Sequence, residues 1–300
     1  MSGDPDRIRL GHRIEALGYD ALTGVLRLLP FGLVSWMGGA LLRIVGPLTS
    51  KDRIARTNLR IAFPEASDAV LRAMLRGQWD NTGRTFAEFA LTDRIRAFED
   101  HSRVTVEGIH HFLDNAPGIL ISGHFANWEV MATVLTQSPG PVRVTYRKIN
   151  NPLIDRRVRE QREAYGTKFL VQKSTHRGGR ELFEALRSGE SIAILNDQKF
   201  NTGLKIPFFG TDAMTAQGAV RLSMKTGRPI LPMCVVRDGA QFHVRFYPPL
   251  KWDRVGEREP DVEAGVRAVT GFIEDRIREN PTQWFWVHRR WPRTVYLKET

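Results

Sequence analysis

From about residue 103 onward, short apolar runs alternate with stretches of helical periodicity. Runs such as GILIS (118–122) and SIAILN (191–196) have strand length, whereas PLIDRRVREQREAYG (152–166) repeats apolar residues at helical spacing. This alternation predicts an α/β fold, a largely parallel mixed sheet flanked by helices, with its active site at strand ends. Further strands are predicted at 142–146, 168–172, 229–236 and 241–248, and further helices at 68–91, 178–189, 215–227 and 261–280.

An uncharged stretch of 15 residues, Leu28–Leu42, precedes this pattern and is bounded by Arg27 and Arg43. A helix that spans a membrane needs about 20 apolar residues, so this stretch is shorter than a usual transmembrane helix. Two interpretations remain open: a helix lying in or dipping into a membrane with Trp36 near the headgroups, or a hairpin buried on the domain. We favour the membrane interpretation and predict a membrane-associated helical segment over 1–49, followed by one catalytic domain over 50–300.

The chain carries a net charge of +11, and the excess is concentrated in one region. Between Arg143 and Arg180 eleven Lys and Arg residues face three Asp and Glu residues, a local charge of +8. Such a surface attracts phosphates, anionic lipids, acidic proteins or nucleic acid. A solvated helix face is the alternative, although such faces more often mix both signs.

The stretch SGHFANWEV places His124 two residues after a predicted strand and Glu129 in the first turn of a helix that Asn127 would cap. Two His–acid pairs have this spacing, against about one expected by chance, so spacing alone decides nothing. The other pair, His176 and Glu181, lies among arginines and glycines and is interpreted as a surface or anion-binding turn. His124 lies where catalytic groups of an α/β sheet collect, and Glu129 is predicted to fix its tautomer.

Motifs that the sequence lacks exclude several reaction mechanisms for His124 and Glu129. There is no GxSxG nucleophile elbow, and the single cysteine, Cys234, lies in the apolar run PILPMCVV, where a thiolate is disfavoured. No cluster of histidines supplies further metal ligands. We therefore expect His124 to act as a general base on a hydroxyl of the substrate, which then attacks an acyl donor directly, without metal or cofactor.

Four blocks in order, GHFANWEV, YRKINNPLIDRRV, NDQKF with KIPFFG, and WFWVHRRWP, resemble the late acyltransferases of lipid A biosynthesis, the lauroyl and myristoyl transferases, and also the phosphatidylinositol-mannoside acyltransferases. The resemblance covers about residues 18 to 295. It implies a glycerolipid-acyltransferase-like fold with His124 and Glu129 as the catalytic pair. It also implies an acyl-carrier-protein thioester as donor, a hydroxyl of a membrane glycolipid as acceptor, and the cytoplasmic face of the inner membrane as location, with no nucleic-acid partner.

The resemblance also suggests substrate-binding residues. Arg147 is expected to contact donor or phosphate, Arg289 and Arg290 a phosphorylated headgroup, and Asp197 to lie at a strand end near the site. KIPFFG (205–210) is expected either to form an apolar wall for an acyl chain or to pack in the core. The complete set of substrate-binding candidates is Asn127, Arg147, Arg177, Asp197, Arg289 and Arg290.

The sequence departs from the family pattern in two places. A second acid that the family often shows two residues after the position of Asp197 is Lys199 here. The apolar N-terminal stretch is weaker than the family's usual anchor, so spanning and interfacial attachment both stay open. Two other functions remain in view. The first is a lysophospholipid or glycolipid acyltransferase that uses acyl-CoA. The second is a non-enzymatic basic protein that binds membrane or nucleic acid, which explains the charge but not a His–acid pair at a strand end.

Overall fold

The computed structural model describes residues 8–146, 148–164, 166–167, 170–172, 176–253 and 259–297. Its strands β1 to β9 are, in chain order, Val104–Glu107, Ile119–Ser122, Val142–Tyr146, Leu170–Gln172, Ser191–Leu195, Lys199–Phe208, Thr211–Thr215, Ile230–Asp238 and Gln241–Phe246. Its helices α1 to α10 are Leu10–Leu26, Phe31–Val45, Ser50–Ala62, Asp68–Glu88, His110–Leu113, Glu129–Gln137, Pro152–Ala164, His176–Arg187, Gly218–Thr226 and Glu259–Glu279. Short 3-10 turns lie at Gly46–Leu48, Phe89–Arg94 and Arg293–Leu297.

The described strands build a seven-stranded sheet in the order β1-β9-β8-β2-β5-β3-β4, and β6 with β7 forms a separate hairpin. Neighbours in the large sheet run parallel except β8 and β9, which are antiparallel. Every residue of β2 is buried, as expected for a central strand covered on both faces. The predicted α/β class with a largely parallel mixed sheet is confirmed.

Most predicted elements occur within a few residues of their expected ends. Three strands were missed: β1, β6 and β7. Strand β7 ends at Thr215, the first residue of the predicted helix at 215–227, and α9 begins only at Gly218. KIPFFG lies across the β6–β7 hairpin, whose two strands pair from Lys205–Met214 to Phe208–Thr211. Ile206 and Phe208 of this hairpin are buried in the core, which favours the core-packing interpretation of KIPFFG.

Helix α2, which contains most of the apolar N-terminal stretch, packs closely on α4. A Cβ added to Gly38 would lie 2.4 Å from the carbonyl oxygen of Gly83, so glycine at this crossing lets the two backbones approach. Phe31 and Val34 are buried, and the ring of Phe31 meets that of Phe242 edge to face at 6.2 Å. One face of α2 therefore belongs to the core of the catalytic fold.

The opposite face of α2 is apolar and exposed. Leu41 and Ile44 have 60% and 71% of their surface accessible, and Leu48 in the 3-10 turn that follows has 83%. By length and composition, Phe31–Leu48 is a candidate membrane span of 18 residues with a mean hydropathy of 1.4. Helix α1 carries a second stripe of exposed apolar side chains, among them Leu10, Ile14, Leu17 and Val25. Large exposed apolar patches mark contacts with membrane or protein.

Candidate active site

His124 and Asp197 meet because β2 and β5 are parallel neighbours. The register pairs Ser122 with Leu195, the last residue of each strand, and both functional residues follow two positions later. Carboxyl ends of parallel strands share one edge of a sheet, where binding sites of open α/β folds form. A local sequence pattern thus places each residue, and the strand pairing brings them together.

The carboxylate of Asp197 holds the His124 imidazole in a fixed orientation. Its Oδ1 lies 2.7 Å from Nδ1 of His124, while its Oδ2 accepts hydrogen bonds from the His124 backbone N–H at 2.8 Å and from Nε1 of Trp284 at 2.8 Å. Burial alone would raise the pKa of Asp197, but the attraction and hydrogen bonds of His124 lower the pKa below its ordinary value. An ionised Asp197 selects the tautomer in which Nδ1 carries the proton, and Nε2 is left as the basic nitrogen.

The second ring nitrogen of His124 lies beside a mostly apolar cavity of about 350 Å³. His124 and Gln198 both line this cavity, and their Nε2 atoms are 3.4 Å apart. Apolar side chains such as Met131, Leu135 and Val144 form much of the wall. A few polar groups converging on an apolar pocket are typical of sites for amphipathic small molecules.

Glu129 lies in the same cavity but has a different partner from the one expected. Its carboxylate accepts hydrogen bonds from Nε of Arg162 at 2.8 Å and from Nη2 of the same guanidinium. The role of fixing the tautomer of His124, assigned to Glu129 from its spacing, belongs to Asp197 in the structure. The reason is geometric: Glu129 begins α6, whereas Asp197 follows the strand that lies directly beside β2.

The loop between His124 and α6 is held in a strained conformation. Ala126 has φ of 39°, in the region that side chains other than glycine rarely adopt. Its N–H donates to the carbonyl of Gln283 at 2.7 Å, and its own carbonyl accepts from Oγ1 of Thr85 at 2.8 Å. These two hydrogen bonds hold Ala126 in its left-handed conformation.

A buried ion pair is hydrogen-bonded to the same loop. Glu88 at the end of α4 and Arg237 in β8 are both buried and are joined by two hydrogen bonds, of 2.6 and 2.9 Å. Glu88 also accepts from Nδ2 of Asn127 at 2.9 Å and from the hydroxyl of Ser35 in α2 at 2.6 Å. This network connects the catalytic loop, α4, the sheet and the apolar helix α2.

Asn127 is therefore a structural residue of the loop and not a contact for substrate. Its side chain is buried, and its amide oxygen accepts from the backbone N–H of Glu129 at 3.2 Å, in partial agreement with the predicted cap of α6. Its assignment as a substrate-binding residue is corrected, since both ends of the amide are engaged inside the protein.

Arg290 is also corrected. Only 1% of its surface is accessible, and its guanidinium donates to the carbonyl of Met214 at 3.1 Å and to Oγ1 of Thr215 at 2.7 Å. Burial lowers its pKa to about 10. A guanidinium enclosed in this way fastens the β6–β7 hairpin and presents no face to a headgroup. Arg289, next to it, is exposed and lies over the ring of Tyr296.

Two further candidates have no described side chain. Arg147 lies outside the described residues, and Arg177 occupies the second position of α8, with its side chain also outside the description. Their predicted contacts with donor or phosphate stay predictions. Cys234 lies in β8 as expected, and burial raises the pKa of its thiol to about 12, so it is held as an unreactive thiol.

Sequence reasoning missed Arg162, Trp284 and the Glu88–Arg237 pair. Glu88 stands in the otherwise apolar run FAEFAL, and Arg237 directly follows the apolar run PMCVV; a charge in or beside such a run is a signal of buried pairing. Arg162 is one of four arginines on α7, and its neighbours in sequence do not distinguish it.

The fold and this site define an α/β protein in which a histidine, bonded to a buried carboxylate, lines a mostly apolar cavity. The chain belongs to the family described as bacterial lipid A biosynthesis acyltransferase, which matches residues 8–293. It is thus an acyltransferase, as the resemblance implied, and the non-enzymatic alternative is set aside.

Three characterised proteins show the range of this similarity. The phosphatidylinositol mannoside acyltransferase of Mycolicibacterium smegmatis is 24% identical over 296 residues, 95% of this chain and 94% of that protein. The lipid A biosynthesis palmitoleoyltransferase of Escherichia coli is 26% identical, with 87% and 86% covered. The lauroyltransferase of the same organism is 26% identical, with 91% and 90% covered.

Among solved structures, the 1-acyl-sn-glycerophosphate acyltransferase of Thermotoga maritima matches with a TM-score of 0.39 and 14% sequence identity, over 85% of this chain and 96% of that one.

Proposed function

We propose that this protein transfers a fatty acyl chain from the thioester of an acyl carrier protein to a hydroxyl of a lipid A precursor, with His124 as the general base. The observation that carries the proposal is the imidazole of His124, bonded to Asp197 through Nδ1 while its other nitrogen lies among the residues that line an apolar cavity. The cavity offers an acyl chain an apolar environment, and the base is poised for a hydroxyl.

The reaction follows from the tautomer. Nε2 of His124 accepts the proton of the acceptor hydroxyl as its oxygen attacks the thioester carbonyl. The ionised carboxylate of Asp197 stabilises the imidazolium that results. The C–S bond then breaks, the imidazolium returns its proton to the departing thiolate, and an ester and a free thiol are the products. The enzyme forms no covalent intermediate in this sequence.

Glu129 and Arg162 are proposed as the second functional group of the cavity. Their carboxylate and guanidinium are within direct bonding distance and both line the wall opposite apolar side chains. The pair fixes the start of α6, the helix that follows the catalytic loop. It also gives the cavity a polar rim against which the thioester or the acceptor hydroxyls can align.

We propose that the exposed apolar stripes of α1 and α2 attach the enzyme to the cytoplasmic face of the inner membrane. Leu28–Leu42 was expected to contact a membrane, and the outward face of α2 keeps that chemistry while its inward face is committed to the core. An acceptor with alkyl chains would then reach the cavity from the bilayer.

The deciding experiment compares wild-type protein with His124→Ala in acyl transfer to a lipid A precursor, with product masses measured by mass spectrometry. We expect a loss of roughly 10²–10⁴-fold, the range for a lost general base. His243→Ala, which removes an exposed histidine of β9, is the control and should retain activity. Near-wild-type turnover of His124→Ala would exclude the proposed base.

Two substrate choices are decided in the same assay. Supplying acyl carrier protein and CoA thioesters of equal chain length tests the donor. Offering a phosphatidylinositol mannoside beside the lipid A precursor tests the acceptor, a choice motivated by the mycobacterial relative, which matches 95% of this chain. Transfer only to the mannoside would replace the proposed acceptor and keep the proposed chemistry.

A further inference from the structure

A second cavity, of about 530 Å³, lies between α2, α3 and α4. Four arginines line it: Arg43 from α2, Arg56 from α3, and Arg72 and Arg76 from α4. No residue that lines this cleft also lines the cavity beside His124. The cleft is thus a separate feature, and we call it the arginine cleft.

Two of the four arginines are neutralised by carboxylates within the protein. Asp52, which is buried and also accepts from Nε1 of Trp79 at 2.8 Å, binds Arg56 at 2.9 Å. Asp80 binds Arg43 at 2.7 Å and Arg84 at 2.6 Å. These pairs fix the wall of the cleft and offset part of its positive charge.

Arg72 and Arg76 are left without such a partner. Both are exposed, and neither forms an ion pair or hydrogen bond with the residues that the structure describes. The carboxylate of Asp68 attracts Arg72 from a longer distance but is itself bonded to Arg60. Arg72 and Arg76 stand four positions apart on α4, where like charges face each other on one side of a helix and destabilise it. An anion held between the two guanidinium groups would remove this repulsion.

The apolar residues at the edge of the arginine cleft indicate which kind of anion would bind there. Ile44 lines the cleft and is 71% exposed, and it belongs to the exposed apolar face of α2. A small soluble anion gains nothing from an apolar border, whereas a phospholipid places its phosphate on arginines and its alkyl chains on Ile44 and Leu41. Two guanidinium groups also suit the planar, bidentate recognition of phosphate oxygens.

We propose that the arginine cleft binds the phosphate of an anionic glycerophospholipid of the membrane, with Arg72 and Arg76 as its direct contacts. A bound lipid would fix the depth and rotation of α2 at the bilayer surface, and through Ser35 and Glu88 α2 is connected to the catalytic loop. The inference rests on the proposed membrane attachment but not on the identity of donor or acceptor.

The test measures cosedimentation of the full-length protein with vesicles of phosphatidylcholine alone and of phosphatidylcholine mixed with phosphatidylglycerol. For Arg72→Gln/Arg76→Gln we expect the partition coefficient on the anionic vesicles to fall roughly tenfold or more, given the contribution of basic residues near an anionic surface. Binding to phosphatidylcholine alone should be unchanged. Arg187→Gln/Arg267→Gln removes two exposed arginines of α8 and α10 and is the matched control for net charge.

A charge-conserving variant separates a built site from diffuse attraction. Arg72→Lys/Arg76→Lys keeps both charges but cannot form the bidentate contacts, so we expect its binding to anionic vesicles to fall below that of the wild type by several-fold. Inorganic phosphate should compete weakly with the vesicles for the wild type. Wild-type binding by the Lys variant, or by the Gln variant, would overturn the proposal.

The KM for the acceptor distinguishes a lipid of the bilayer from the enzyme's own acceptor as the occupant of the cleft. If the Gln variant raises the KM for a detergent-dispersed acceptor while its binding to anionic vesicles is unchanged, the cleft serves the substrate and the proposal is wrong. Because the sedimentation assay contains neither donor nor acceptor, it also stands independently of whether the proposed acyl transfer is found. Melting temperatures close to wild type, expected for changes at exposed positions, exclude unfolding as the cause.

Discussion

Nδ1 of His124 lies 2.7 Å from Oδ1 of Asp197, although 73 residues separate them in the chain. The same carboxylate also accepts the backbone N–H of His124 and the indole N–H of Trp284. These three contacts fix the carboxylate of Asp197, and through it the orientation of the His124 imidazole, before substrate binds. Little conformational freedom is then lost when substrate binds.

The first prediction compares two carboxylates by the same chemical change. Asp197→Asn should lower kcat roughly 10²–10⁴-fold, because the neutral amide no longer stabilises the imidazolium and permits the other tautomer. Glu129→Gln should lower kcat less, since Arg162 is its direct partner. The measurement is kcat for both variants, with circular dichroism to check folding. A larger loss for Glu129→Gln would return the role of orienting His124 to Glu129.

The second prediction concerns the buried pair Glu88–Arg237. Removing one partner in Glu88→Gln leaves Arg237 with an uncompensated buried charge, so we expect the free energy of unfolding to fall by about 3–5 kcal/mol. Denaturant titration measures this loss. The double variant Glu88→Leu/Arg237→Met replaces both charges with apolar groups and should be more stable than the single variants Glu88→Leu and Arg237→Met. If the single changes simply add in the double variant, the two residues are not coupled.

Ser35→Ala is a smaller change in the same hydrogen-bond network and should destabilise the protein less than Glu88→Gln. It removes only the hydroxyl that links α2 to Glu88, which should cost about 1 kcal/mol. Thr270→Ala, which removes a buried hydroxyl that donates to the carbonyl of Val266 within α10, is a suitable control. We expect Ser35→Ala, and not Thr270→Ala, to lower kcat without changing KM, because the hydroxyl of Ser35 is bonded to Glu88, which in turn is bonded to the loop that carries His124.

The third prediction tests the basic region between Arg143 and Arg180 as the docking surface for an acidic carrier protein. Arg157 binds Asp20 of α1, and Arg162 binds Glu129, so the exposed Arg156 and Arg159 are the clearest contacts for a partner. Arg156→Glu/Arg159→Glu should raise the KM for the carrier-bound donor by about tenfold or more and leave kcat nearly unchanged.

Salt and donor size supply the controls for this surface. The difference in KM between variant and wild type should shrink as salt is added, because screening acts over a Debye length of about 8–10 Å. Transfer from a small soluble thioester should be unaffected. Equal losses for both donors would place the charge in the active site, and no loss would leave Arg156 and Arg159 as solvated surface.

The fourth prediction is a loss of stability in mild acid. Burial lowers the pKa of His288 to about 4, while the unfolded value is 6.5. Because the folded pKa is the lower one, the unfolded chain takes up the proton first, and stability present above about pH 6.5 is lost as the pH falls toward 4. The loss should amount to about 1–3 kcal/mol.

Melting temperature measured across this range checks the acid prediction. The depressed pKa of Asp197 acts in the same direction, since its stabilising contribution is lost as its carboxylate takes up a proton at lower pH. His288→Gln should flatten the part of the profile that belongs to histidine. His243→Ala, at an exposed position, should leave the profile unchanged. An unchanged slope in His288→Gln would assign the acid sensitivity to another group.

Local patterns were enough to predict β2, β5 and α7, and to place His124 at a strand end, because apolar periodicity and strand length act over a few residues. The partner of His124 was not predictable in this way. The spacing in the sequence favoured Glu129 as the partner, whereas the pairing of β2 with β5 places Asp197 beside His124. Local patterns do not predict this pairing, because strand order is a property of the whole sheet.

The amino-acid sequence by itself determined the α/β class, the position of His124 at a strand end and, through four ordered motifs, the family of acyltransferases. Only the tertiary structure decided which side chains meet: Asp197 with His124, Glu88 with Arg237, and Arg290 with the β6–β7 hairpin instead of a headgroup. The physical reason is that a buried charge has to find its partner within the same enclosed volume, and that partner is set by packing between segments far apart in the chain.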